Sequence, residues 1–241
     1  MMITETKSID LFKKFSSSHK YFSLQQAKDF MNKSGYSYSD ETIKKSLSRL
    51  KKEKIIHSSG RGFYSTLSNR FLVDNADQKE LIKDIEKKFP LIEFSLWSTK
   101  MLAPLFHHLQ NVFYTFIYSE RDALLYLRDF LLDKNQHVFL SPSKNELEKN
   151  VVLKESSIIL RAAVSRSKSK NRISVFEKIL VDFLFESEKL NIADLSEYEK
   201  VIKNVLDNYL IDLSYLFDYA KRRKNDVKIR ELVGKYANVT F

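Results

Sequence analysis

The first seventy residues alternate short amphipathic stretches with polar punctuation. Ile9, Leu11, Phe12 and Phe15 recur at near-helical spacing, which predicts a helix over 8–17. Ser23 stands where an N-cap belongs, and Leu24, Ala27, Phe30 and Met31 follow on one face of a second helix. Gly35 falls just past the last periodic residue, where a left-handed stop is expected. Tyr21 and Phe22, ahead of the cap, are expected to staple the start of this helix. Ser39 or Asp40 can cap a third helix with Ile43, Leu47 and Leu50 on its apolar face. Ile55-Ile56-His57 and Phe63-Tyr64-Ser65 then flank the Gly-containing turn 58–62, which predicts a β-hairpin. Three helices and a hairpin are the order of a winged helix-turn-helix. The polar stretch 67–78 has no clear period and reads as a seam.

Beyond the seam, strand and helix patterns alternate. A helix is predicted over 79–88, ending before Pro90, then a strand over 91–96 and a helix over 98–109 with Pro104 near its first turns. The aromatic and β-branched run 112–118 predicts a buried strand, and 120–132 a helix. Short strands are expected over 138–140, 151–153 and 158–164. From 174 onward the pattern is helical, over 174–187, 194–207, 211–224 and 226–234. The expected fold class is α+β: a winged helix-turn-helix over 1–70, then a mixed α/β domain over 71–241 ending in a helical segment.

Composition narrows the function. Of 241 residues 43% are hydrophobic, enough for a packed core. Cysteine is absent, which excludes a disulfide scaffold, a thiolate metal site and a thiol nucleophile. Four glycines, Gly35, Gly60, Gly62 and Gly234, leave no Walker A loop, G-x-G-x-x-G turn or G-x-S-x-G elbow. No window approaches the ~18–20 apolar residues of a membrane span, and the polar first ten residues do not resemble a secretory leader. A soluble, cytoplasmic protein with no membrane partner is expected. The net charge is +10, and it is uneven. Residues 1–70 hold 14 Lys and Arg against 6 Asp and Glu; residues 71–241 hold 27 against 25. A cationic front module points to a polyanion, here double-stranded DNA.

On a helical wheel Glu41, Lys45, Ser48 and Lys52 lie opposite the apolar stripe of the third helix, flanked by Thr42 and Arg49. That short, polar, mainly positive face suits a major groove. Free backbone N–H groups near Tyr38 and Ser39 offer a phosphate seat. Arg61, between two glycines at the hairpin tip, suits a minor groove or the sugar–phosphate backbone. The candidate DNA-contacting residues are therefore Tyr38, Ser39, Thr42, Lys45, Ser48, Arg49, Lys52 and Arg61. Lys44, Lys45, Lys51 and Lys52 are expected to position more than to specify. A solvated helix carries a lysine-rich face too. The tract 161–172 holds Arg161, Arg166, Lys168, Lys170 and Arg172 with no acid and reads as an exposed loop; 221–224 is a second basic run at a helix end. Arg166, Lys168, Lys170, Arg172, Arg222 and Arg223 form a candidate secondary basic surface, with a solvated loop and a helix-end charge cap as the alternative.

Catalytic signals are weak. The histidines His19, His57, His107, His108 and His137 show no metal-ligand spacing. No PD-(D/E)-x-K arrangement stands at a strand end, and Trp97 reads as core. No catalytic residue, metal or cofactor is assigned.

The segments Phe176-Glu177-Lys178-Ile179-Leu180-Val181-Asp182 and Asp218-Tyr219-Ala220-Lys221-Arg222-Arg223, with Phe94-Ser95-Leu96-Trp97-Ser98-Thr99 and the wing-like Arg61-Gly62-Phe63-Tyr64, resemble the AbiEi family of antitoxins. The resemblance runs from about residue 21 to 232. It implies a transcriptional regulator of a bacterial type IV toxin–antitoxin, or abortive-infection, system. Such a protein binds inverted repeats in its own promoter and counters a nucleotidyltransferase-like toxin, and no enzyme activity is carried over. Glu177, Asp182, Tyr219, Arg222 and Arg223 match family motifs; their structural role would be Tyr-Ala on a buried face and Arg against a carboxylate such as Asp182. Two other readings stay open: a nuclease-like enzyme delivered by a winged helix, and a winged helix that docks a protein.

Overall fold

The computed structural model describes residues 2–106, 112–134, 136–143 and 157–240. In chain order the elements are α1 (Met2–Ser17), β1 (Tyr21–Ser23), α2 (Leu24–Lys33), α3 (Asp40–Lys52), β2 (His57–Ser58) and β3 (Phe63–Ser65). Next come α4 (Lys79–Lys88), β4 (Phe94–Ser98), β5 (Tyr114–Ser119), α5 (Leu124–Asp133), β6 (Val138–Leu140), β7 (Ser157–Ala162), β8 (Ser169–Lys170) and β9 (Ile173–Ser174). The last are α6 (Phe176–Leu190), α7 (Leu195–Asn208), α8 (Leu213–Arg222) and α9 (Asp226–Ala237). The protein is α+β, and its chain forms two compact units: Met1–Phe71 with Ile202–Phe241, and Leu72–Val201.

In the first unit α1, α2 and α3 enclose a core of Phe12, Phe15, Phe22, Met31, Ile43 and Leu47. The start of α2 is fixed by a reciprocal cap. Gln26 N donates to Ser23 Oγ at 3.2 Å, and Ser23 N donates to Gln26 Oε1 at 2.9 Å. Ser39 caps α3 by accepting from Thr42 N. The strands form an antiparallel sheet in the order β1-β3-β2. Tyr21 and Phe22 therefore do more than staple α2. They form β1 and pair with Ser65 and Tyr64, because a short extended run beside β3 satisfies its backbone there.

The same unit holds the C-terminal helices, so the division of the chain differs from the expected 1–70 and 71–241. The reason lies in residues 209–214. Ser59 Oγ donates to the Ile211 carbonyl at 2.5 Å and Leu213 N donates to the Ser59 carbonyl at 2.9 Å. The Tyr21 hydroxyl donates to the Tyr209 carbonyl and accepts from Ile211 N. Phe63 meets Phe217 edge to face at 5.6 Å. Asp212 then caps α8, accepting from Tyr215 N at 2.9 Å.

The second unit is built on a mixed six-stranded sheet, β6-β7-β5-β4-β9-β8. β5, β6 and β7 run parallel, β4 is antiparallel to β5, and β9 is parallel to β4. Trp97 is fully buried and stacks on Phe116 at 4.6 Å. The turn after β4 is a 3-10 helix, Thr99–Leu105, with Pro104 inside it; Pro104 has no N–H to donate, which suits a short piece rather than a long α-helix. The strand expected over 151–153 lies outside the described residues, as do His107 and His108.

Candidate nucleic-acid interface

α3 presents the face its sequence pattern predicts. Ile43, Ser46, Leu47 and Leu50 are buried, while Lys44, Lys45, Ser48, Arg49, Lys51 and Lys52 are exposed. The two ends of the helix differ in charge. Asp40 and Glu41 occupy the first turn, and Arg49, Lys51 and Lys52 the last. The Ser39 hydroxyl is engaged as the cap and stands 3.0 Å from the Thr42 hydroxyl. Acids and a cap at this end make it a poor phosphate seat, so attraction for an anion on α3 comes from the Arg49, Lys51 and Lys52 side chains of its last turn, against the negative end of the helix dipole there.

Local acids partner several of the candidate cations. Lys45 pairs with Glu41 at 2.9 Å, and Arg49 with Glu53 at 3.0 Å. Each holds its carboxyl below the usual range, through the hydrogen bond first and then charge attraction. Lys28 does the same for Asp40. Such exposed i,i+4 pairs are weak and screened by solvent, so a phosphate can take over either cation at little cost. Lys51, Lys52 and Arg61 are exposed and make no ion pair among the described residues. Tyr38 is half-buried and packs on the core. Its ring stacks on Tyr36 at 5.7 Å, and burial, then Tyr36, raises its pKa. It shapes the connection between α2 and α3 more than it offers a free contact.

The hairpin tip has two different sides. Gly60 and Gly62 both have positive φ, +94° and +80°. A Cβ on Gly62 would meet nothing within 4 Å, whereas one on Gly60 would fall 2.1 Å from Asp212 Oδ1. Gly60 is thus pressed against the start of α8, while Arg61 beside it stays exposed.

The residues of the candidate secondary surface belong to both units. Arg166, Lys168, Lys170 and Arg172 lie in the second unit, Arg222 and Arg223 in the first. The tract 161–172 is not one exposed loop. Arg161 lies in β7, buried, with Nη2 2.6 Å from Glu186 Oε2 and Nη1 3.2 Å from the Pro142 carbonyl. Lys170 and Ile173 pair across a two-residue turn, Asn171-Arg172, with φ of 51° and 64°, the signs a tight primed hairpin turn needs. Arg172 is anchored by Glu86 at 2.9 Å and Glu93 at 2.7 Å, and its guanidinium lies over Phe94 at 4.9 Å. It is a structural clamp, and of the basic residues in that tract only Arg166, Lys168 and Lys170 remain exposed.

The motif residues on α6 form a buried charged row. Lys178 Nζ sits 2.7 Å from Asp182 Oδ2, 3.1 Å from Ser174 Oγ and 3.8 Å from the Tyr118 ring centre. The carboxylate partner expected for an arginine, Asp182, is thus met by Lys178; Arg222 instead pairs with Asp218 at 2.8 Å and lies over Tyr219. Sequence spacing at i and i+4 could have supplied both pairs. The anchoring of Arg172 and Arg161 had no local signal.

The geometry defines an α+β protein whose first unit carries an exposed cationic helix face beside a glycine-tipped hairpin. A family model described as "Family of unknown function (DUF6577)" matches residues 42–239, and the chain belongs to that family. No curated protein matches the chain.

Proposed function

We propose that this chain is a DNA-binding transcriptional regulator, an antitoxin that represses its own type IV toxin–antitoxin operon in the cytoplasm. On this reading α1 to β3 is a winged helix-turn-helix: α3 enters the major groove and the β2–β3 hairpin is the wing. The element order α1-β1-α2-α3-β2-β3 supports it. The observation that carries it is the partition of charge. The first unit holds 22 Lys and Arg against 11 Asp and Glu, a net of +11; the second holds 19 against 20, a net of −1. All of the chain's positive excess therefore travels with α3 and the hairpin, as an electrostatic footprint for a polyanion requires. The antitoxin role and the nucleotidyltransferase-like toxin come from the AbiEi resemblance.

The test is fluorescence anisotropy of the full chain on its own promoter across a salt series. If about six phosphates are neutralised, log K falls against log salt with a slope of roughly −5. Lys51→Ala and Lys52→Ala should each reduce that slope by about 1, and Arg61→Ala should weaken binding by about 1–3 kcal/mol. No binding, or binding indifferent to salt, would overturn the reading. Co-expression with the neighbouring toxin gene tests the antitoxin role: loss of growth protection on deleting this chain is expected, and unchanged growth would refute it.

A further inference from the structure

Arg166, Lys168 and Lys170 are exposed on the arm that leads into and forms β8. The rest of the second unit is acidic. Without these three it holds 16 Lys and Arg against 20 Asp and Glu. No acid occurs from 161 to 172, and Glu86 and Glu93, which meet the hairpin, are both engaged by Arg172. Arg166 and Lys170 make no ion pair among the described residues.

The β8–β9 hairpin holds these cations in a fixed array. Besides the Arg172 guanidinium anchors, the Arg172 carbonyl accepts from Leu96 N at 2.7 Å, which ties the tip to β4. Val175 N donates to the Lys168 carbonyl at 3.3 Å, so the arm stays paired back to Lys168. Alternation along a strand puts Lys168 and Lys170 on one side, about 6.6 Å apart along the backbone. Arg166 has φ of 55°, where glycine or asparagine is the relaxed choice. A strained position that carries an exposed guanidinium points to use of that side chain.

We propose that this hairpin is a second nucleic-acid contact, in which Arg166, Lys168 and Lys170 pair with phosphates along one strand of duplex DNA. The inference rests on the DNA-binding reading and extends it to the second unit. A phosphate strand presents charges at a regular repeat, which suits cations at every second residue; an acidic protein surface has no such fixed repeat. A hairpin already ordered loses less freedom on binding than a mobile loop. Its contacts position the duplex and carry no sequence information.

The test is fluorescence anisotropy of the full chain across a salt series, on its own promoter and on a scrambled duplex of equal length. The triple variant Arg166→Gln, Lys168→Gln, Lys170→Gln should make the slope of log K against log salt shallower by about 2–3. It should weaken binding to both duplexes alike and leave the ratio of their affinities unchanged. The matched variant Lys79→Gln, Lys83→Gln, Arg121→Gln loses the same charge from the same unit at residues flanked by Glu80, Asp84, Glu120 and Asp122, and should keep the wild-type slope. Far-UV circular dichroism checks folding; if the triple variant does not fold, Lys170→Gln alone decides, with a change of about 1. A wild-type slope in the hairpin variant overturns the proposal, and the DNA-binding reading still stands if Lys51→Ala and Lys52→Ala reduce the slope. Equal effects of the two triple variants overturn it in favour of net charge. An unchanged slope together with lost co-purification of the co-expressed toxin overturns it in favour of an acidic protein partner. No binding by the wild-type chain overturns both readings.

Discussion

Gly60 and Gly62 form a matched pair for testing how the hairpin is held. Both have positive φ, so alanine at either position incurs the left-handed backbone cost of about 1–2 kcal/mol. Only Gly60 has a neighbour in the way. Its added Cβ would lie 2.1 Å from Asp212 Oδ1, 2.5 Å from Ser214 Cβ and 2.9 Å from Ser214 N. A side-chain oxygen can swing aside, but a backbone nitrogen at a helix start cannot move alone. Either the hairpin or residues 211–214 must shift, which strains the Leu213 N to Ser59 carbonyl bond of 2.9 Å. Overpacking of this kind adds about 1–3 kcal/mol. Gly62→Ala should thus lose about 1–2 kcal/mol and Gly60→Ala about 2–5 kcal/mol. Urea unfolding followed by far-UV circular dichroism measures both. The chain's one tryptophan, Trp97, lies in the second unit, so its fluorescence is an internal control on the same samples. Equal losses for the two variants would refute the claim that the start of α8 grips the hairpin.

Three further outcomes follow from named contacts. Asp182→Asn takes the nearest carboxylate from the buried Lys178 ammonium and should destabilise by about 3–5 kcal/mol; the double change Lys178→Met with Asp182→Leu should recover most of that loss in the Trp97 unfolding curve, and no recovery would contradict a charge-burial cause. Arg172→Ala keeps the left-handed residue and loses the anchors to Glu86 and Glu93, whereas Arg172→Gly loses the anchors but relaxes the backbone. The glycine variant should therefore be the more stable by about 1 kcal/mol, and a less stable glycine variant in thermal melts would count against the strained turn. Glu53 has a lowered pKa because Arg49 hydrogen-bonds it, with Lys13 adding attraction. Its contribution is complete above the ordinary glutamate value of 4.5 and is lost as the pH falls through the lowered folded value. The stability gap between wild type and Glu53→Gln should close on acidification below that value; a gap that widens there would reverse the assigned sign.

The elements legible in the sequence are those whose information is local. α2 and α3 carry their own caps, Ser23 and Ser39, and their own apolar stripes, so their starts and buried faces follow from spacing alone. The helix over 79–88 and the strand over 138–140 coincide with α4 and β6. β1 and the β8–β9 hairpin were not legible, because Tyr21 to Ser23 carry the pattern of a helix staple and cap and Ser169 to Arg172 that of a Ser-interleaved basic loop, and both become strands only through a partner. The same holds for charge. Arg172 looks like a free loop cation until Glu86 and Glu93, far upstream, are brought to it by folding. In the candidate interface the face of α3 was readable. The engagement of Ser39 and Thr42 at its start, and the ion pairs of Lys45 and Arg49, depend on side-chain geometry that the residue pattern does not carry.

The largest discrepancy concerns where the basic module ends, and it bears on how DNA binding is measured. From the sequence the module stops near residue 70 with a net charge of +8, against +2 for the rest. With residues 202–241 assigned to the same compact unit, the values become +11 and −1. That segment supplies the partners of Tyr21, Ser59 and Phe63. A fragment cut at residue 70 would expose the Tyr21 hydroxyl, the Ser59 hydroxyl and the Phe63 ring, and would free Gly60 from α8. The hairpin carrying Arg61 would then lose the contacts that hold its base and tip, and ordering it on DNA would cost affinity that the intact unit does not lose. Weaker binding by such a fragment than by the full chain is the expected result in the anisotropy assay. Equal affinity would mean that the C-terminal helices contribute nothing to holding the hairpin in its binding conformation.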